Sequence, residues 1–315
     1  MVAGRLVSWL QPFELAIPDA GEFVVKAQTG SPFPGRTDEV LGLRFTIHGY
    51  FDWRCWAVAI AVTRPGDTII EVGANIGTET VGFADIVGPS GRVMAFEPSE
   101  TNLVRLRSAL AISGHNNVLI RPVAVSDTDG VCEFYPPARH NSGLGFLALG
   151  KAGPVSGGWW QETAAVTVQC TTLDRLADEI GRASIIYADV EGAEVHVLRG
   201  ARRYIAQYHP VLVLEVDSNL MRRAGSTYKA LCDELLRQGY IAAELSRFGL
   251  TSIDLTNETP PRQPGGWARN WLCLPRERRD LRGPVQRALR MCGWLPFTSI
   301  HPFQRVARRR RLQVG

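Results

Sequence analysis

The sequence predicts an α/β protein built on a doubly wound, mostly parallel sheet of seven strands. Short apolar runs alternate along the chain with stretches of helical character, which is the pattern that parallel strands joined by crossover helices require. Parallel strands imply right-handed crossovers and a ligand crevice at the carboxyl ends of the strands. The predicted strands lie near residues 67–73, 91–97, 117–124, 184–190, 210–216, 240–246 and 269–274.

The first predicted strand runs directly into a glycine-containing turn. Its run from Ile69 to Val72 is mostly apolar and suits a strand that is buried on both faces. Gly73 and Gly77 let the backbone turn tightly and approach a ligand without interference from a Cβ atom. The second strand ends at Glu97, where a carboxylate can accept hydrogen bonds from both hydroxyls of an adenosine ribose. The two features together predict a site for a small nucleotide-type molecule, and the alternative is a purely structural turn.

Helices are predicted between the strands, and their ends carry capping residues. Ser99 and Ser226 are expected to be N-caps, while Gly114 and Gly239 are expected to end their helices. The predicted helices lie near residues 77–87, 99–113, 193–206 and 226–238.

The sequence of the turn distinguishes two kinds of nucleotide-type ligand. A dinucleotide fingerprint reads Gly-x-Gly-x-x-Gly and brings backbone amides up to a pyrophosphate. This turn instead reads Glu71-x-Gly73-x-Asn75-x-Gly77. A carboxylate at the head of the turn would repel a pyrophosphate, but it suits S-adenosylmethionine, which carries an ammonium, a sulfonium and no phosphate. The pattern therefore favours the methyl donor over a dinucleotide.

Several motifs that follow one another along the chain resemble a known family. They are Glu71-Val-Gly-Ala-Asn-Ile-Gly77, Ala95-Phe-Glu-Pro98, Thr172-Leu-Asp174, Asp189-Val-Glu-Gly-Ala-Glu194, Val197-Leu-Arg-Gly-Ala201 and Pro210-Val-Leu-Val-Leu-Glu215. The chain resembles the FkbM family of S-adenosylmethionine-dependent methyltransferases over roughly residues 50 to 245. The resemblance implies a Rossmann-like class I methyltransferase fold and methyl transfer to a hydroxyl group. The chain departs from the family pattern at Glu71, which stands for Asp, and at Tyr187-Ala-Asp189, which stands for Lys-Ile-Asp.

The cofactor contacts follow from the turn and from the ends of the first three strands. Glu71 is expected to approach the methionyl ammonium, and Glu97 is expected to hold the ribose hydroxyls. Ser126 and Asp127, after the third strand, are placed to border the adenine, although Asp127 is also suited to starting a turn. The backbone around the turn is expected to line the methionine and ribose portions through Gly73, Ala74, Asn75 and Gly77.

Acidic residues after the fourth strand are the candidates for catalysis. Methyl transfer to an alcohol is helped by a general base within hydrogen-bond reach, and we assign Asp189 to the methionine end of the cofactor or to the acceptor. Glu191 or His140 is the expected base, since either residue can take the acceptor's proton during an in-line displacement. Helix capping is the structural alternative for the acids. A divalent ion held by Asp189, Glu191 and Glu215 is possible but not favoured, because the sequence does not fix the distances between them, and no metal is assigned.

The chain divides into a core and appendages. Residues 1–62 are expected to form an N-terminal cap on the substrate side, and residues 63–275 the methyltransferase domain. Within that domain, residues 130–172 are expected to form a lid-like insertion, in which Trp159 and Trp160 either stack on an acceptor or anchor the loop. Residues 276–315 form an arginine-rich C-terminal tail.

The charge is distributed unevenly between the tail and the rest of the chain. Residues 276–315 hold 11 Arg, 2 acidic residues and no Lys, so this segment has a net charge of +9. The whole chain has a net charge of +4, so the other 275 residues have a net charge of −5. An acidic body does not suit a specific nucleic-acid partner. The tail is expected either to be solvated or to contact a membrane surface or an acidic partner through Arg308-Arg-Arg-Arg311. Apolar residues that would suit a surface-lying helix are Val285, Leu289, Trp294, Leu295 and Phe297.

Composition narrows the remaining classes. The six cysteines are scattered without a Cys-x-x-Cys pair, and no apolar stretch approaches membrane-spanning length, so a cytoplasmic protein with reduced thiols is expected. The favoured function is an S-adenosylmethionine-dependent O-methyltransferase acting on a small molecule or glycan. The alternatives are a nicotinamide-dependent oxidoreductase and a non-catalytic binding protein that uses the basic tail. The sequence specifies neither the acceptor nor the oligomeric state.

Overall fold

The computed structural model of the protein describes residues 23–137, 141–149, 164–246, 248–260 and 269–294. The strands are β1 Phe23–Lys26, β2 Pro32–Gly35, β3 Thr68–Val72, β4 Arg92–Phe96, β5 Val118–Arg121, β6 Ala124–Val125, β7 Gly130–Tyr135, β8 Phe146–Leu147, β9 Val166–Thr171, β10 Ile185–Ala188, β11 Val211–Val216, β12 Tyr240–Ser246, β13 Gly249–Ile253 and β14 Arg269–Pro275. The helices are α1 Val40–His48, α2 Trp53–Val62, α3 Thr78–Val87, α4 Glu100–Ser113, α5 Ala177–Ile180, α6 Glu194–Arg199, α7 Arg202–Tyr208, α8 Ser218–Arg223, α9 Tyr228–Arg237 and α10 Arg282–Trp294.

The main sheet is mostly parallel, as predicted, but it has eight strands instead of seven. Its order is β13-β12-β14-β11-β10-β3-β4-β5. Strands β11, β10, β3, β4 and β5 run parallel to one another. Strand β14 instead pairs antiparallel with both β11 and β12. The strand that the sequence analysis missed is β13, which pairs antiparallel with β12 at the edge of the sheet. Its residues are largely exposed, so its sequence lacks the apolar run by which the other strands were found.

The third predicted strand is divided between two sheets. The prediction of one strand over 117–124 is wrong, because β5 ends at Arg121 and β6 begins at Ala124 in a separate sheet. Pro122 lies between them and has no N–H group to donate to a strand ladder. The chain therefore leaves the main sheet at this proline.

The four helices predicted by their bounds are all observed, and two of them differ in detail. Ser99 caps α4 and Gly114 ends it in a left-handed conformation, as predicted. The cap of α9 is Thr227 instead of Ser226, since the Thr227 hydroxyl accepts from the Ala230 amide. The predicted helix 193–206 is two helices that are interrupted at Gly200, where a Cβ atom would lie 1.9 Å from the Ser126 carbonyl oxygen. The interruption lets the loop after β6 pack against this turn.

The direction in which the chain winds reverses between β3 and β10. Strands β3, β4 and β5 extend the sheet to one side, and β10 and β11 extend it to the other. In open α/β sheets, such a switch point leaves a crevice outside the carboxyl ends of the strands. The crevice next to β3 and β10 is therefore the expected ligand site.

Part of the predicted insertion forms strands of a second sheet. Strands β6, β9, β7 and β8 form it, with β7 and β9 in an antiparallel ladder. Ser142, within the insertion, donates its hydroxyl to Glu39 at 2.8 Å, and Glu39 is the N-cap of α1. The insertion is thus joined to the N-terminal segment. His140, Trp159 and Trp160 lie outside the described residues.

The described N-terminal residues pack against α3. Trp56 of α2 is fully buried, and its indole nitrogen donates to the Glu79 carbonyl at 3.1 Å. Gly82 makes room for the indole ring, because a Cβ atom there would lie 2.0 Å from a ring carbon of Trp56. Ser31 donates its hydroxyl to Asp85 at 2.7 Å. The segment after residue 22 is therefore continuous with the core that lies behind the crevice.

The C-terminal helix is also part of the core, which corrects one prediction about the tail. Val285 and Leu289 were named as residues that would suit a surface-lying helix, but both are fully buried, and α10 packs against α2 and β13. The exposed side of this helix carries Arg287, Arg290 and Met291. The Trp294 side chain, Leu295, Phe297 and the arginines at 308–311 are not among the described residues. Within the described part of the chain, no helix is long and apolar enough to span a membrane.

Candidate active site

The turn after β3 has a backbone that only particular residues can adopt. Gly73 has φ +88°, and a Cβ atom at this position would lie 2.0 Å from the Asp189 carbonyl oxygen. The amides of Gly73 and Ala74 both donate to the Phe96 carbonyl at 2.9 Å, which ties the turn to the end of β4. Asn75 is left-handed at φ +51°, a conformation that asparagine tolerates better than most residues. The turn therefore presents bare backbone at the switch point.

Gly77 completes the turn and starts α3. It is left-handed at φ +93° and caps the helix without a side chain. A Cβ atom here would lie 2.9 Å from a methyl carbon of Leu106, so glycine also allows α4 to pack closely. The amino end of α3, with its positive dipole and unpaired amides, consequently lies beside the turn.

Glu97 stands on the β4 side of this turn. Its two carboxylate oxygens accept from the amides of Asn75 and Ser99, each at 2.8 Å. The side chain is buried, and burial raises the pKa of Glu97 to about 7 although both amides oppose the shift. A carboxylate has about four acceptor positions, so Glu97 retains capacity for a further donor besides the two amides and the Asn102 side chain. This arrangement fits the hydroxyls of a ribose.

Glu71 lies at the head of the turn and is almost completely buried. Its Oε2 atom has no hydrogen-bond partner among the described residues. Burial raises the pKa of Glu71 well above its usual range, and the nearby carboxyls of Glu79, Glu97 and Asp189 add to this. An unsatisfied buried acceptor of this kind is costly unless a ligand supplies a donor. Glu71 therefore has an oxygen to which a ligand could donate a hydrogen bond.

Glu79, on the first turn of α3, is a part of the site that the sequence analysis did not identify. It accepts from the Asp52 amide at 3.1 Å and from the Thr78 hydroxyl. Burial raises the pKa of Glu79 to about 8. The residue joins the N-terminal segment to the crevice. An acid in the first turn of a helix is usually explained by the helix dipole, so its sequence gave no separate signal.

The acids that follow β10 have different roles. Glu194 accepts from the amides of Val190 and Gly192, each at 3.3 Å, so it holds the turn itself together. Asp189 accepts a hydrogen bond from the Tyr187 hydroxyl at 3.1 Å. Glu191 has a left-handed backbone at φ +55°. Of the three acids, Asp189 and Glu191 are therefore the ones whose side chains are available to a ligand.

Asp189 and Glu191 meet a third carboxyl, Glu215, at the end of β11. One oxygen of each residue lies within 4.8 Å of one oxygen of both others. Burial raises the pKa of all three, and the repulsion between neighbouring carboxylates raises those of Glu191 and Glu215 further. Arg223 faces this group, with Nη2 3.8 Å from Glu191, and its guanidinium lies 3.7 Å from the centre of the Phe146 ring in the insertion. Asp189 and Glu191 were predicted from the sequence as site residues, whereas the proximity of Arg223 to them was not predicted.

The two residues expected to border the adenine lie after β6. Ser126 is fully buried, and its amide donates to the Thr171 carbonyl. Asp127 pairs with His196, since its Oδ2 atom is 3.0 Å from His196 Nδ1. The Oδ1 atom of Asp127 accepts from the Ser126 hydroxyl at 3.3 Å. The predicted contact with adenine would therefore use a remaining acceptor position of this carboxylate.

Comparisons with known proteins identify the family of this chain. The Methyltransferase FkbM domain family matches residues 71–242, more than half of the chain. The 31-O-demethyl-FK506 methyltransferase FkbM of Streptomyces tacrolimicus is 30% identical over 197 residues, which cover 53% of this chain and 75% of that protein. The protein-L-isoaspartate O-methyltransferase of Ignicoccus hospitalis is 30% identical over 127 residues, which cover 40% of this chain and about half (53%) of that protein.

Among solved structures, the methyltransferase FkbM of Methylobacillus flagellatus aligns with a TM-score of 0.42 and 16% identity, covering 67% of this chain and 44% of that one. The family match and the Streptomyces relative confirm the resemblance that the motifs suggested. They also decide against a nicotinamide-dependent oxidoreductase. The chain belongs to the FkbM methyltransferase family.

Proposed function

We propose that this protein is an S-adenosylmethionine-dependent O-methyltransferase that methylates a hydroxyl group of a small molecule or glycan. The observation that carries the proposal is the glycine turn between two buried carboxyls. Glu71 has an unsatisfied oxygen on one side of the turn. On the other side, Glu97 accepts from the Asn75 amide of the turn and from the Ser99 amide at the start of α4. A pyrophosphate in this place would meet two acidic groups, whereas an ammonium and two ribose hydroxyls would supply donors to both.

The cofactor roles follow from this arrangement. Glu71 accepts from the methionyl ammonium, and the backbone from Gly73 to Gly77 lines the methionine and ribose portions. Glu97 accepts from the ribose hydroxyls. Ser126 and Asp127 border the adenine, with Asp127 held in place by His196.

The acceptor roles fall to the acids after β10. When bound, S-adenosylmethionine supplies an electrophilic methyl group, which an in-line displacement passes to the acceptor oxygen. Asp189 orients the acceptor hydroxyl, and Glu191 takes its proton on a carboxylate oxygen. A base works best when its pKa lies near the working pH, and burial shifts the pKa of Glu191 upward from the range of an ordinary carboxyl. His140 remains the alternative base predicted from the sequence.

The names of the two relatives support oxygen as the acceptor atom. One is named for 31-O-demethyl-FK506, a small molecule, and the other is named a protein-L-isoaspartate O-methyltransferase. The first relative is matched over the larger share of its length. We therefore propose that the acceptor of this chain is also a hydroxyl group, of a small molecule or a glycan.

Calorimetry with S-adenosylmethionine tests the cofactor assignment. We expect Glu97→Ala to weaken binding at least tenfold, which corresponds to ~1.4 kcal/mol. Glu100→Ala is the matched control, because it removes an exposed carboxylate three residues away. Heat with a nicotinamide dinucleotide but none with S-adenosylmethionine would contradict the proposal. No heat with either ligand would favour a non-catalytic binding protein.

A further inference from the structure

The three carboxylates at the ends of β10 and β11 are spaced for a single cation. The relevant oxygens of Asp189, Glu191 and Glu215 all lie within 4.8 Å of one another. Ca²⁺ binds oxygen at ~2.3–2.6 Å and Mg²⁺ at ~2.0–2.1 Å, so three oxygens spread evenly around one ion lie at most roughly 4.0–4.5 Å or 3.5–3.6 Å apart. One ion between these residues therefore requires the group to contract less for Ca²⁺ than for Mg²⁺. Each residue is partly exposed, which leaves a path for an ion from the crevice.

A fourth oxygen provides an independent indication of a ligand. Asn270 on β14 is the ladder partner of Glu215, so the two side chains stand side by side on one face of the sheet. The Asn270 Nδ2 group donates to Asp52 at 2.6 Å, and this contact fixes the orientation of the amide. Its Oδ1 atom is left without a hydrogen-bond partner among the described residues, although Asn270 is only 8% exposed. An amide carbonyl oxygen is a common ligand of hard cations.

The charges around the group point the same way. Arg223 faces Glu191 at 3.8 Å and brings one positive charge to three carboxyls. Arg54, the cation near Asp52, is held by that residue in a close ion pair. A divalent cation together with Arg223 would balance three ionised carboxylates, which otherwise repel one another in a half-buried setting.

We infer that Asp189, Glu191 and Glu215, together with the Asn270 carbonyl oxygen, form a site for one hard divalent cation, Mg²⁺ or Ca²⁺. An all-oxygen set suits these ions and leaves coordination positions for water or for an oxygen of the acceptor. Asp189 lies directly beside the glycine turn, because a Cβ atom on Gly73 would lie 2.0 Å from its carbonyl oxygen. The ion would bind side-chain oxygens only, so its binding does not require S-adenosylmethionine. With an ion bound, Glu191 would be a ligand instead of the base. The ion would lower the pKa of a coordinated acceptor hydroxyl, and the proton would pass to solvent water.

Metal titration of the full chain tests this inference without any measurement of activity. After dialysis against a chelator, Ca²⁺ and Mg²⁺ are titrated by calorimetry, and Mn²⁺ binding is followed by the loss of the free-ion signal in electron paramagnetic resonance. We expect one site per chain and at least a tenfold weaker affinity in Glu215→Gln and in Glu191→Gln. Glu244→Gln is the matched control, because Glu244 lies on the same sheet but pairs with Arg269. Circular dichroism and thermal unfolding confirm that each variant is folded.

The possible outcomes separate this inference from the proposed function. Absence of binding by the folded wild type at millimolar ion would overturn the cation site. Equal affinity in wild type, Glu215→Gln and Glu191→Gln would overturn it as well, because the ion would then sit elsewhere. S-adenosylmethionine calorimetry on the same preparation shows independently whether the cofactor site is intact.

Discussion

Replacing Glu97 with glutamine is expected to remove a defined part of the pH dependence of this protein. Burial raises the pKa of Glu97 from its ordinary value of 4.5 to about 7. The folded protein therefore retains a proton that the unfolded chain has already released between these two pH values. As pH rises through this window, the free energy of unfolding should fall, and above pH 7 the loss should be complete.

The size of the effect follows from the shift. One pKa unit corresponds to 1.36 kcal/mol, so a shift from 4.5 to about 7 amounts to about 3 kcal/mol at most. Glutamine keeps the shape of the side chain but cannot ionise. Its NH₂ group also faces one of the two backbone amides that donate hydrogen bonds to Glu97. The loss of that hydrogen bond should lower the free energy of unfolding by ~1 kcal/mol at every pH. The change in slope between pH 5 and pH 8 is therefore the quantity to compare.

Urea unfolding of wild type and Glu97→Gln at half-unit steps from pH 5 to pH 8 measures this slope. Glu100→Gln, which removes an exposed carboxylate nearby, serves as the control and should follow the wild type. S-adenosylmethionine affinity should change in the opposite sense, because the ionised carboxylate is the better acceptor for ribose hydroxyls. Wild-type affinity should rise up to about pH 7, and the affinity of Glu97→Gln should be weaker and nearly flat. Parallel unfolding curves for wild type and Glu97→Gln would refute the reasoning.

Other parts of the structure lead to separate expectations. Gly73→Ala should lower the free energy of unfolding by at least ~2 kcal/mol and abolish cofactor binding. The reason is that φ is +88° and the new Cβ atom would lie 2.0 Å from the Asp189 carbonyl oxygen. Denaturant unfolding measures the first effect, and calorimetry measures the second. Leu289→Ala should cost about 2 to 5 kcal/mol, whereas Met291→Ala, on the exposed side of α10, should change stability little; similar values for the two variants would contradict the burial of this helix. A membrane role for the tail predicts that removing residues 295–315 abolishes co-sedimentation with anionic vesicles and leaves thermal unfolding unchanged; unaltered co-sedimentation would exclude that role.

The strands could be predicted because most of them are buried on both faces and leave continuous apolar runs. The strand predicted at 210–216 is observed as Val211–Val216, and the one predicted at 240–246 is observed with those bounds. Strand β13 carries no such run, since it lies at the sheet edge with mostly exposed residues. The break after Arg121 follows from Pro122, which cannot donate a hydrogen bond to a neighbouring strand.

The candidate site was predictable where its parts are close in sequence and not where they come together by folding. The turn from Gly73 to Gly77 is marked by its own glycines, and Glu97 ends the very next strand. The contact between Glu215 and Asn270 depends on β14 inserting antiparallel beside β11, which the intervening 54 residues do not announce. The pairing of Asp127 with His196, across 69 positions, depends similarly on the packing of α6 against the loop after β6.

The concentration of buried acids at one edge of the sheet links stability to ligand binding. Glu71, Glu79 and Glu97 all have pKa values raised by burial, so each of them ionises at a cost to the folded protein. A ligand that donates hydrogen bonds or brings positive charge to these groups reverses part of that cost, because it stabilises their ionised forms. A methyl donor with an ammonium and a sulfonium is such a ligand, and a divalent cation at the neighbouring carboxylates is another. Because each ligand binds the folded chain at a preformed site, either should raise the unfolding temperature. Their effects should add if the glycine turn and the carboxylate group are independent, and should exceed the sum if one ligand also relieves repulsion at the other site.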